Sequence, residues 1–383
     1  MTINLNHKNL FHYLTNVGLC QKEDLDNIKI DVEFSHNFNW LITLPKNKGN
    51  LVVKQTPDYS TLPIDNRIHK EWHIYNYLQF AEDLINASSL IPKNLYFDKT
   101  NSILIYKFPD KYILLKRYYD NHKDLPIPIA ELVGTTLAKL HSETMNSQRC
   151  SIFMADFTQG KLQYQLPYPD YLSDYLVSPL EPESLNKTPV QAWRFIAIIQ
   201  NSESVIKVIK ELVLHHRHCC LTHNNIHFNN ILVSRMWETK ILLNTKNSDN
   251  SLIKFINWEA CSWGDPACDL GKAITGYFLF WLNSMIIHPT IDMKKSIQLA
   301  TIPLEVILPL IVAMIKAYIS TFPEIFEGDP EFLKRVIQFA GLGLIYQLLA
   351  EFQLQPETAQ IHQEIYFYIA AQLLCKPEKF LAI

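Results

Sequence analysis

The sequence predicts an α+β protein with two lobes: a small, mainly antiparallel β lobe with one main helix, then a larger, mostly helical lobe. Segments with period-two apolar alternation fill the first hundred or so residues, and segments with helical apolar spacing dominate afterwards. Two motifs of polar residues attached to hydrophobic strands lie at 223–230 and 256–270, the first motif and the second motif. We therefore predict lobes at 1–108 and 109–383.

The first lobe contains five predicted strands and one predicted helix. Apolar alternation and turn-forming runs such as 45–50 place strands at 28–34, 40–44, 51–55, 94–97 and 102–107. The helix is predicted over 67–80, where Trp72, Ile74, Tyr75 and Leu78 share one face.

The second lobe is predicted to be helical over 130–141, 202–216, 303–320, 331–354 and 357–374. Residues 164–189, rich in Pro and Tyr, are expected to form a surface loop, and 234–252 a long hairpin with Asn244, Asn247 and Asn250 in its turn. The most apolar window, 273–287, is shorter than the roughly 18 residues of a membrane span and contains Asn283. We therefore expect a buried helix there.

The bulk composition is that of an ordinary soluble protein, with 48% hydrophobic and 19% charged residues among 383. A net charge of −3 gives no broad basic surface for nucleic acid or membrane. The seven cysteines include no CxxC pair, which favours buried thiols over disulfides or zinc. The N-terminus has no signal-peptide pattern. We expect a cytoplasmic protein without a nucleic-acid or membrane partner.

The residues that indicate a chemical function lie in the two motifs. The first consists of His223, Asn224, Asn225, Ile226, His227, Phe228, Asn229 and Asn230, and leads into Ile231-Leu232-Val233. The second consists of Ile256-Asn257-Trp258-Glu259, Trp263-Gly264-Asp265-Pro266 and Asp269-Leu270. Together they resemble the motifs of the aminoglycoside phosphotransferase and choline kinase family, whose fold is that of protein kinases. That family's patterns are approximately His-Gly-Asp-Leu-His-Pro-x-Asn-Ile-Leu-Val and Ile-Asp-Trp-Glu-x-Ala-x-x-Gly-Asp-Pro-x-x-Asp-Leu.

The sequence departs from the family patterns at both Asp positions. Asn225 stands where the resemblance implies the Asp that accepts the proton of the substrate hydroxyl or orients it. An amide has no useful basicity near neutral pH, and loss of a general base costs about 10²–10⁴ in rate. Asn257 stands where the family has the Asp that holds Mg²⁺, a cation that prefers carboxylate oxygens. Asn230 matches the family's second metal ligand, and Asn224 takes the position of a glycine.

Other acidic and histidine side chains of the motifs are weighed as replacements. Glu259 or Asp265 would have to move to supply the missing carboxylate, and Asp265 is expected instead to be structural, in a tight turn. The resemblance implies that Asp269 accepts main-chain N–H groups beneath the first motif. His223 and His227 are expected to hold the loop rather than to replace the base.

The resemblance also implies a nucleotide site in the first lobe and a hinge at 106–109. Lys54, at the end of a Val-Val-Lys strand, matches the lysine that kinases send to the phosphates, and Glu71 is its expected ion-pair partner. Asn37 lies in 35–40, where the family has its phosphate loop, but this segment has no glycine. Either its backbone contacts a nucleotide, or Phe38 or Trp40 fills the space.

Three functions remain open at this stage. The first is a catalytically impaired pseudokinase that acts by binding a nucleotide, a small molecule or a protein, with ATP and Mg²⁺ bound weakly. The second is an active ATP-dependent kinase that phosphorylates a hydroxyl-bearing small molecule. The third is a structural or interaction protein whose nucleotide cleft is closed. Restoring Asp at 225 and 257 discriminates among them.

Overall fold

A computed structural model describes residues 3–34, 38–45, 49–55, 67–81, 84, 87–122, 125–158, 189–243, 251–288 and 290–381. The chain forms two compact units. Unit 1 consists of Met1–Leu115 and Ile231–Glu259, and unit 2 of Lys116–Asn230 and Ala260–Ile383. The chain thus returns to unit 1 between the two motifs. The predicted lobes 1–108 and 109–383 stay a prediction.

Unit 1 is built on an antiparallel sheet of five strands in the order β1-β2-β3-β5-β4. The strands are β1 Lys29–Phe34, β2 Phe38–Thr43, β3 Asn50–Gln55, β4 Asn94–Asp98 and β5 Ile103–Phe108. Helix Arg67–Phe80 follows β3, helix Leu10–Asn16 precedes the sheet, and 3₁₀ turns occupy Lys22–Asn27, Ala87–Leu90 and Trp258–Ala260. Each predicted strand and the predicted helix of this lobe is present.

The sheet is held by an apolar core on one side. Trp40, Ile42, Leu51, Val53 and Ile105 are buried together with residues of helix Leu10–Asn16. Because side chains alternate between the faces of a strand, burying Leu51 and Val53 on this side turns the neighbouring position Lys54 to the other face. In β3, Lys54 lies opposite Leu104 of β5. The alternation along β3 therefore places the Lys54 side chain on the face opposite the apolar core.

A smaller antiparallel sheet completes unit 1 and contains the predicted hairpin. Strands Tyr112–Leu114, Ile231–Ser234 and Ile253–Phe255 pair in that order. Its last two strands form the predicted long hairpin, and helix Trp237–Leu242, which was not predicted, lies in the connection between them. Its six residues include the good helix formers Glu238, Lys240 and Leu242, and the helix ends before the predicted turn. Asn244, Asn247 and Asn250 lie outside the described residues.

Unit 2 is mostly helical. Its helices are Leu115–Asn121 (which begins at the last residue of unit 1), Ile127–Thr144, Gln148–Thr158, Val190–Gln200, Glu203–Leu214, Pro266–Leu282, Met293–Gln298, Leu304–Thr321, Glu324–Gly328, Phe332–Leu354, Pro356–Cys375 and Glu378–Leu381. Strand Cys220–Thr222 pairs with Ser262–Gly264 and joins the two motifs. The predicted helices are present, and the predicted loop 164–189 lies outside the described residues apart from residue 189.

Small residues allow the helices of unit 2 to pack closely. A Cβ atom at Gly134 would lie 2.1 Å from the main-chain oxygen of Met314. Because Gly134 has no Cβ, helix Ile127–Thr144 can pack directly against the main chain of helix Leu304–Thr321. A Cβ at Gly271 would lie 2.7 Å from Phe339 and from the oxygen of Val336. Gly271 follows Asp269 of the second motif by two positions. The end of that motif is thereby fixed against the longest helix of the unit.

Among the residues that the structure describes, two helices are long and apolar enough to span a membrane by length and composition: Leu304–Thr321 and Phe332–Leu354. In the second, 78% of the apolar window is buried within the fold, as in a core helix of a soluble protein, whereas in the first the share is 28%. The window expected to be a buried helix, 273–287, lies mostly within the buried helix Pro266–Leu282. Six of the seven cysteines are buried.

Candidate functional site

Lys54 and Glu71 form a buried ion pair in unit 1. The Lys54 Nζ lies 2.9 Å and 2.6 Å from the two carboxylate oxygens of Glu71, and the side chains are 1% and 0% exposed. Strand β3 and helix Arg67–Phe80 supply one partner each. The structure therefore shows the contact between Lys54 and Glu71 that the sequence predicted. A pair this well buried requires mutual neutralisation, since neither charge has access to water.

Asn257, from the second motif, also belongs to unit 1 and lies near this pair. Burial first, and then the Glu71 carboxylate, raise the pKa of Tyr75, while the main chain of Asn257 lowers it. The Tyr75 hydroxyl is buried but makes no hydrogen bond of standard geometry with any described residue. Asn257 has φ = +65°, a left-handed conformation that Asn and Asp adopt more readily than other residues with a Cβ. Tyr75 was expected to be only a core residue.

An apolar cluster completes this part of unit 1. Tyr112, Leu232 and Ile256 are buried together, with Phe108 and Leu114 packed against them. Phe108 belongs to the predicted hinge, and Ile256 directly precedes Asn257. Asn37, the remaining expected contact to a nucleotide, lies outside the described residues.

In unit 2, the main chain at Asn224 has a conformation that suits the glycine of the family pattern. Its φ is +58°, which glycine adopts without strain and Asn tolerates. The Asn224 amide donates hydrogen bonds to the main-chain oxygen of Ala260 at 3.1 Å and to Ser262 Oγ at 2.6 Å. The side chain that replaces glycine thus ties the first motif to the strand that follows Glu259.

Asp269 supports the first motif from beneath. Its carboxylate accepts the main-chain N–H groups of His223 and Asn224, both at 2.7 Å, and lies 3.3 Å from His141 Nε2. Burial raises the pKa of Asp269, but the hydrogen bond and charge of His141 and the N–H of His223 outweigh it, so the pKa lies below its usual value. The structural role expected for Asp269 is what the geometry shows. It therefore cannot replace Asn225 as a base.

The polar side chains of the first motif organise the loop itself. The Asn225 N–H donates to His223 Nδ1 at 3.1 Å. The Asn230 amide nitrogen donates to the main-chain oxygen of Asn225 at 2.8 Å and to His227 Nε2 at 2.9 Å. Burial first, and then the nearby His223 and Lys272, lower the pKa of His227 to about 4, so the imidazole is neutral at pH 7. Both histidines hold the loop, as expected.

The donors at the positions of the family's metal ligands fit Mg²⁺ poorly. Asn230 in unit 2 and Asn257 in unit 1 offer amide oxygens only, whereas Mg²⁺ prefers carboxylates. Asp265 does not compensate: it caps helix Pro266–Leu282 through the N–H of Ala267 and pairs with Arg335 at 3.0 Å. Among the residues that the structure describes, no three His, Cys, Asp or Glu side chains form a metal-binding group.

Lys272 lies at the first motif and was not anticipated. Its ammonium donates a hydrogen bond to the main-chain oxygen of Asn224. Burial lowers the pKa of Lys272, and the charges of Cys268 and Asp269 raise it in part. Lys272 lies two residues beyond the end of the second motif, so motif spacing gives it no signal.

His216 is expected to make unit 2 less stable in acid. Both of its ring nitrogens are buried without a hydrogen-bond partner among the described residues. Burial lowers the pKa of His216 to about 4, although Asp265 opposes the shift. Because the unfolded state binds the proton first, at its ordinary pKa of about 6.5, stability is complete above that pH and falls as the pH drops toward 4. Between pH 7.5 and 4.5 the unfolding free energy of the native chain is expected to fall. We expect this fall to be about 2 kcal/mol smaller in His216→Leu.

Urea unfolding at several pH values measures this effect. His215→Leu is the control, since His215 is the exposed neighbour. Equal pH dependence in His216→Leu and the native chain would contradict the burial of a neutral imidazole.

The folded architecture, a small antiparallel sheet with a mostly helical remainder, is the kinase-like fold, and the predicted fold class is confirmed. No family model and no curated protein matches the chain. Solved structures do match. An ethanolamine kinase of Plasmodium vivax aligns with a TM-score of 0.55 at 14% identity, over 96% of this chain and 89% of that chain.

Two further structures align over 92% of this chain with TM-scores of 0.46. One is a choline/ethanolamine kinase family protein from Mesorhizobium loti, at 14% identity over 91% of that chain. The other is a spectinomycin phosphotransferase in complex with ADP and spectinomycin, at 12% identity over 93% of that chain. Likeness at this level of identity concerns the fold, and the site must argue the function.

Proposed function

We propose that this protein is a pseudokinase: it binds a nucleotide and acts through binding, with little or no phosphotransfer. One observation carries the proposal. The buried Lys54–Glu71 pair is intact, while Asn225 and Asn257 stand at the two positions where the family patterns have Asp. The parts that recognise phosphate are kept, and those that supply the base and a metal carboxylate are absent. ATP is the expected nucleotide, with weak dependence on Mg²⁺.

An active small-molecule kinase is the second candidate. The Lys54–Glu71 pair and the hydrogen-bonded Asn230 favour it, because phosphoryl transfer depends strongly on positioning and electrostatics. Its acceptor would be a hydroxyl-bearing small molecule, the class to which the ethanolamine of the aligned Plasmodium vivax enzyme belongs. The third candidate, an interaction protein with a closed cleft and a protein partner, requires that no nucleotide binds. A cytoplasmic location without nucleic-acid or membrane partners belongs to the same proposal.

Calorimetric titration of ATP, with and without Mg²⁺, tests the proposal. We expect binding to the native chain that Mg²⁺ strengthens less than threefold, and binding at least tenfold weaker in Lys54→Ala, since an ammonium–phosphate contact contributes about 1.5–3 kcal/mol. Lys54→Arg, which retains the charge, is the control for folding. No binding at millimolar ATP by a folded sample would reject the proposal in favour of the closed cleft. Steady turnover of ATP by the native chain would favour the active kinase.

A further inference from the structure

Helix Leu304–Thr321 has an apolar face that the described part of the chain leaves largely uncovered. Only 28% of its apolar window is buried within the fold. The inner side of the helix is held against helix Ile127–Thr144, where the main chain of Met314 lies beside Gly134. The outer side consists of exposed or half-buried apolar residues at helical spacing: Val306, Pro309, Val312, Ala313 and Ala317. An apolar face of this kind on a protein surface marks an interaction site.

This face forms one wall of a groove between two helices of unit 2. Helix Ile127–Thr144 contributes Glu131 to the other side, and the cavity between them has a volume of about 450 Å³. Pro309, Ala313 and Ala317 recur every four residues, so they form one ridge of small side chains along the groove. Small side chains at the contact allow another helix to approach closely, since the side chains set the distance between packed helix axes.

Glu131 and Lys316 place opposite charges on the same groove. Both side chains are exposed and line the cavity. Within the part of the chain that the structure describes, neither forms an ion pair or a side-chain hydrogen bond. Neither has an opposite charge three or four positions away on its own helix, where a helical ion pair would form. The groove therefore offers one carboxylate and one ammonium to a partner.

We infer that this groove is the interface of a homodimer, in which helix Leu304–Thr321 of a second copy of the chain packs against it. The two copies of a two-fold dimer use the same patch, so the patch must be complementary to itself. An apolar ridge meets this requirement, and so does a patch that carries one acid and one base. The two-fold axis would bring Lys316 of each copy to Glu131 of the other and form two ion pairs. The inference goes beyond the proposed function, because it depends on neither nucleotide binding nor catalysis.

A lipid surface fits this face less well than a second copy does. Charged side chains are costly in the hydrocarbon region, and anionic headgroups attract clusters of Lys and Arg. This face has a single lysine, Lys316, together with the exposed carboxylates Glu131 and Glu305. Homodimer interfaces, in contrast, are more apolar than the rest of the surface and tolerate charges that pair across them. The composition of the face therefore favours a protein surface with the same pattern.

Sedimentation equilibrium of the full chain tests the inference. We expect a dimer with a micromolar or lower Kd for the native chain. Lys316→Glu is expected to weaken it at least about tenfold, because it brings like charges together across the interface. The charge exchange, Lys316→Glu with Glu131→Lys, is expected to restore the Kd to within about threefold of the native value, because the opposite charges meet again.

Ala313→Glu is expected to give a monomer, because it places a carboxylate in the middle of the apolar ridge. Leu214→Glu is the matched control, since Leu214 is 78% exposed on another helix of the same unit, and its dimer is expected to be unchanged. A native chain that stays monomeric at about 100 µM would overturn the inference. A dimer that Ala313→Glu leaves intact, or that the charge exchange does not restore, would also overturn it. Monomers that sediment with vesicles of phosphatidylcholine and phosphatidylserine would assign the face to a lipid surface instead.

Cross-linking of the native chain gives a measurement that needs no variant. A carbodiimide joins a lysine directly to a carboxylate in contact with it, and a mixture of ¹⁵N-labelled and unlabelled chains shows whether the link lies between two copies. We expect cross-linked peptides that join Lys316 to Glu131 and contain one labelled and one unlabelled part, as read by mass spectrometry. Links between these two residues that always carry a single isotope would place the contact within one chain and overturn the inference.

Discussion

Glu71→Gln is expected to lower the free energy of unfolding by about 3–5 kcal/mol, because it leaves the ammonium of Lys54 buried without a counter-charge. The two side chains are 1% and 0% exposed, and both carboxylate oxygens contact the Lys54 Nζ. The substitution keeps the volume and one carbonyl oxygen, so the loss reports charge rather than packing. Urea unfolding at pH 7.5 measures it.

Two control variants test whether the loss of stability in Glu71→Gln comes from leaving a buried charge without its partner. In the double variant Lys54→Met with Glu71→Leu, no charge is left without its partner, and we expect stability within about 1–2 kcal/mol of the native chain or above it. Asp120→Asn breaks the pair with Lys116, whose side chains are 45% and 41% exposed, and is expected to cost at most about 1 kcal/mol. A loss in Glu71→Gln no larger than in Asp120→Asn would mean that water reaches Lys54.

The strands and helices of this chain could be predicted because local patterns decide them. Alternation in 51–55 and helical spacing in 67–80 determine both the elements and the faces, and this is enough to bring Lys54 to Glu71. The role of Asp269 was also predictable, because the resemblance supplied it and the loop needs an acceptor for two N–H groups. The hairpin at 234–252 was predicted, but the six-residue helix within it was missed, because the turn residues after 243 dominate the pattern of this segment.

Lys272, Tyr75 and His216 could not be assigned a role from the sequence. Each lies in or beside a helix whose pattern describes only which face is apolar, and the contacts of Lys272 and Tyr75 are distant in sequence. Lys272 meets Asn224 across 48 positions, and Tyr75 lies near Asn257 only because the chain returns to unit 1 after residue 230. The fold brings these groups together, and no motif spacing encodes such contacts.

Restoring both carboxylates, by Asn225→Asp with Asn257→Asp, is expected to raise ATP hydrolysis in Mg²⁺ by at least about 100-fold over the native chain. The estimate follows from the roughly 10²–10⁴ that a general base contributes, and a Mg²⁺ carboxylate at 257 adds to it. Neither change strains the backbone: Asn257 is left-handed at φ = +65°, which Asp also adopts. The hydrogen bonds of the Asn225 main chain to His223 and Asn230 do not depend on its side chain. Release of inorganic phosphate at saturating ATP is the measurement.

The single variants separate the contribution of the restored base at 225 from that of the restored metal ligand at 257. Asn257→Asp alone is expected to make ATP binding depend on Mg²⁺ with little turnover, and Asn225→Asp alone to leave binding unchanged. Adding Lys54→Ala to the double variant should abolish the gain, which excludes a contaminating ATPase. If the double variant binds Mg²⁺–ATP but does not turn it over, the two amides are not what limits phosphotransfer. Turnover in the native chain equal to that of the double variant would instead mean that Asn225 and Asn257 support catalysis as amides, and the pseudokinase proposal would be wrong.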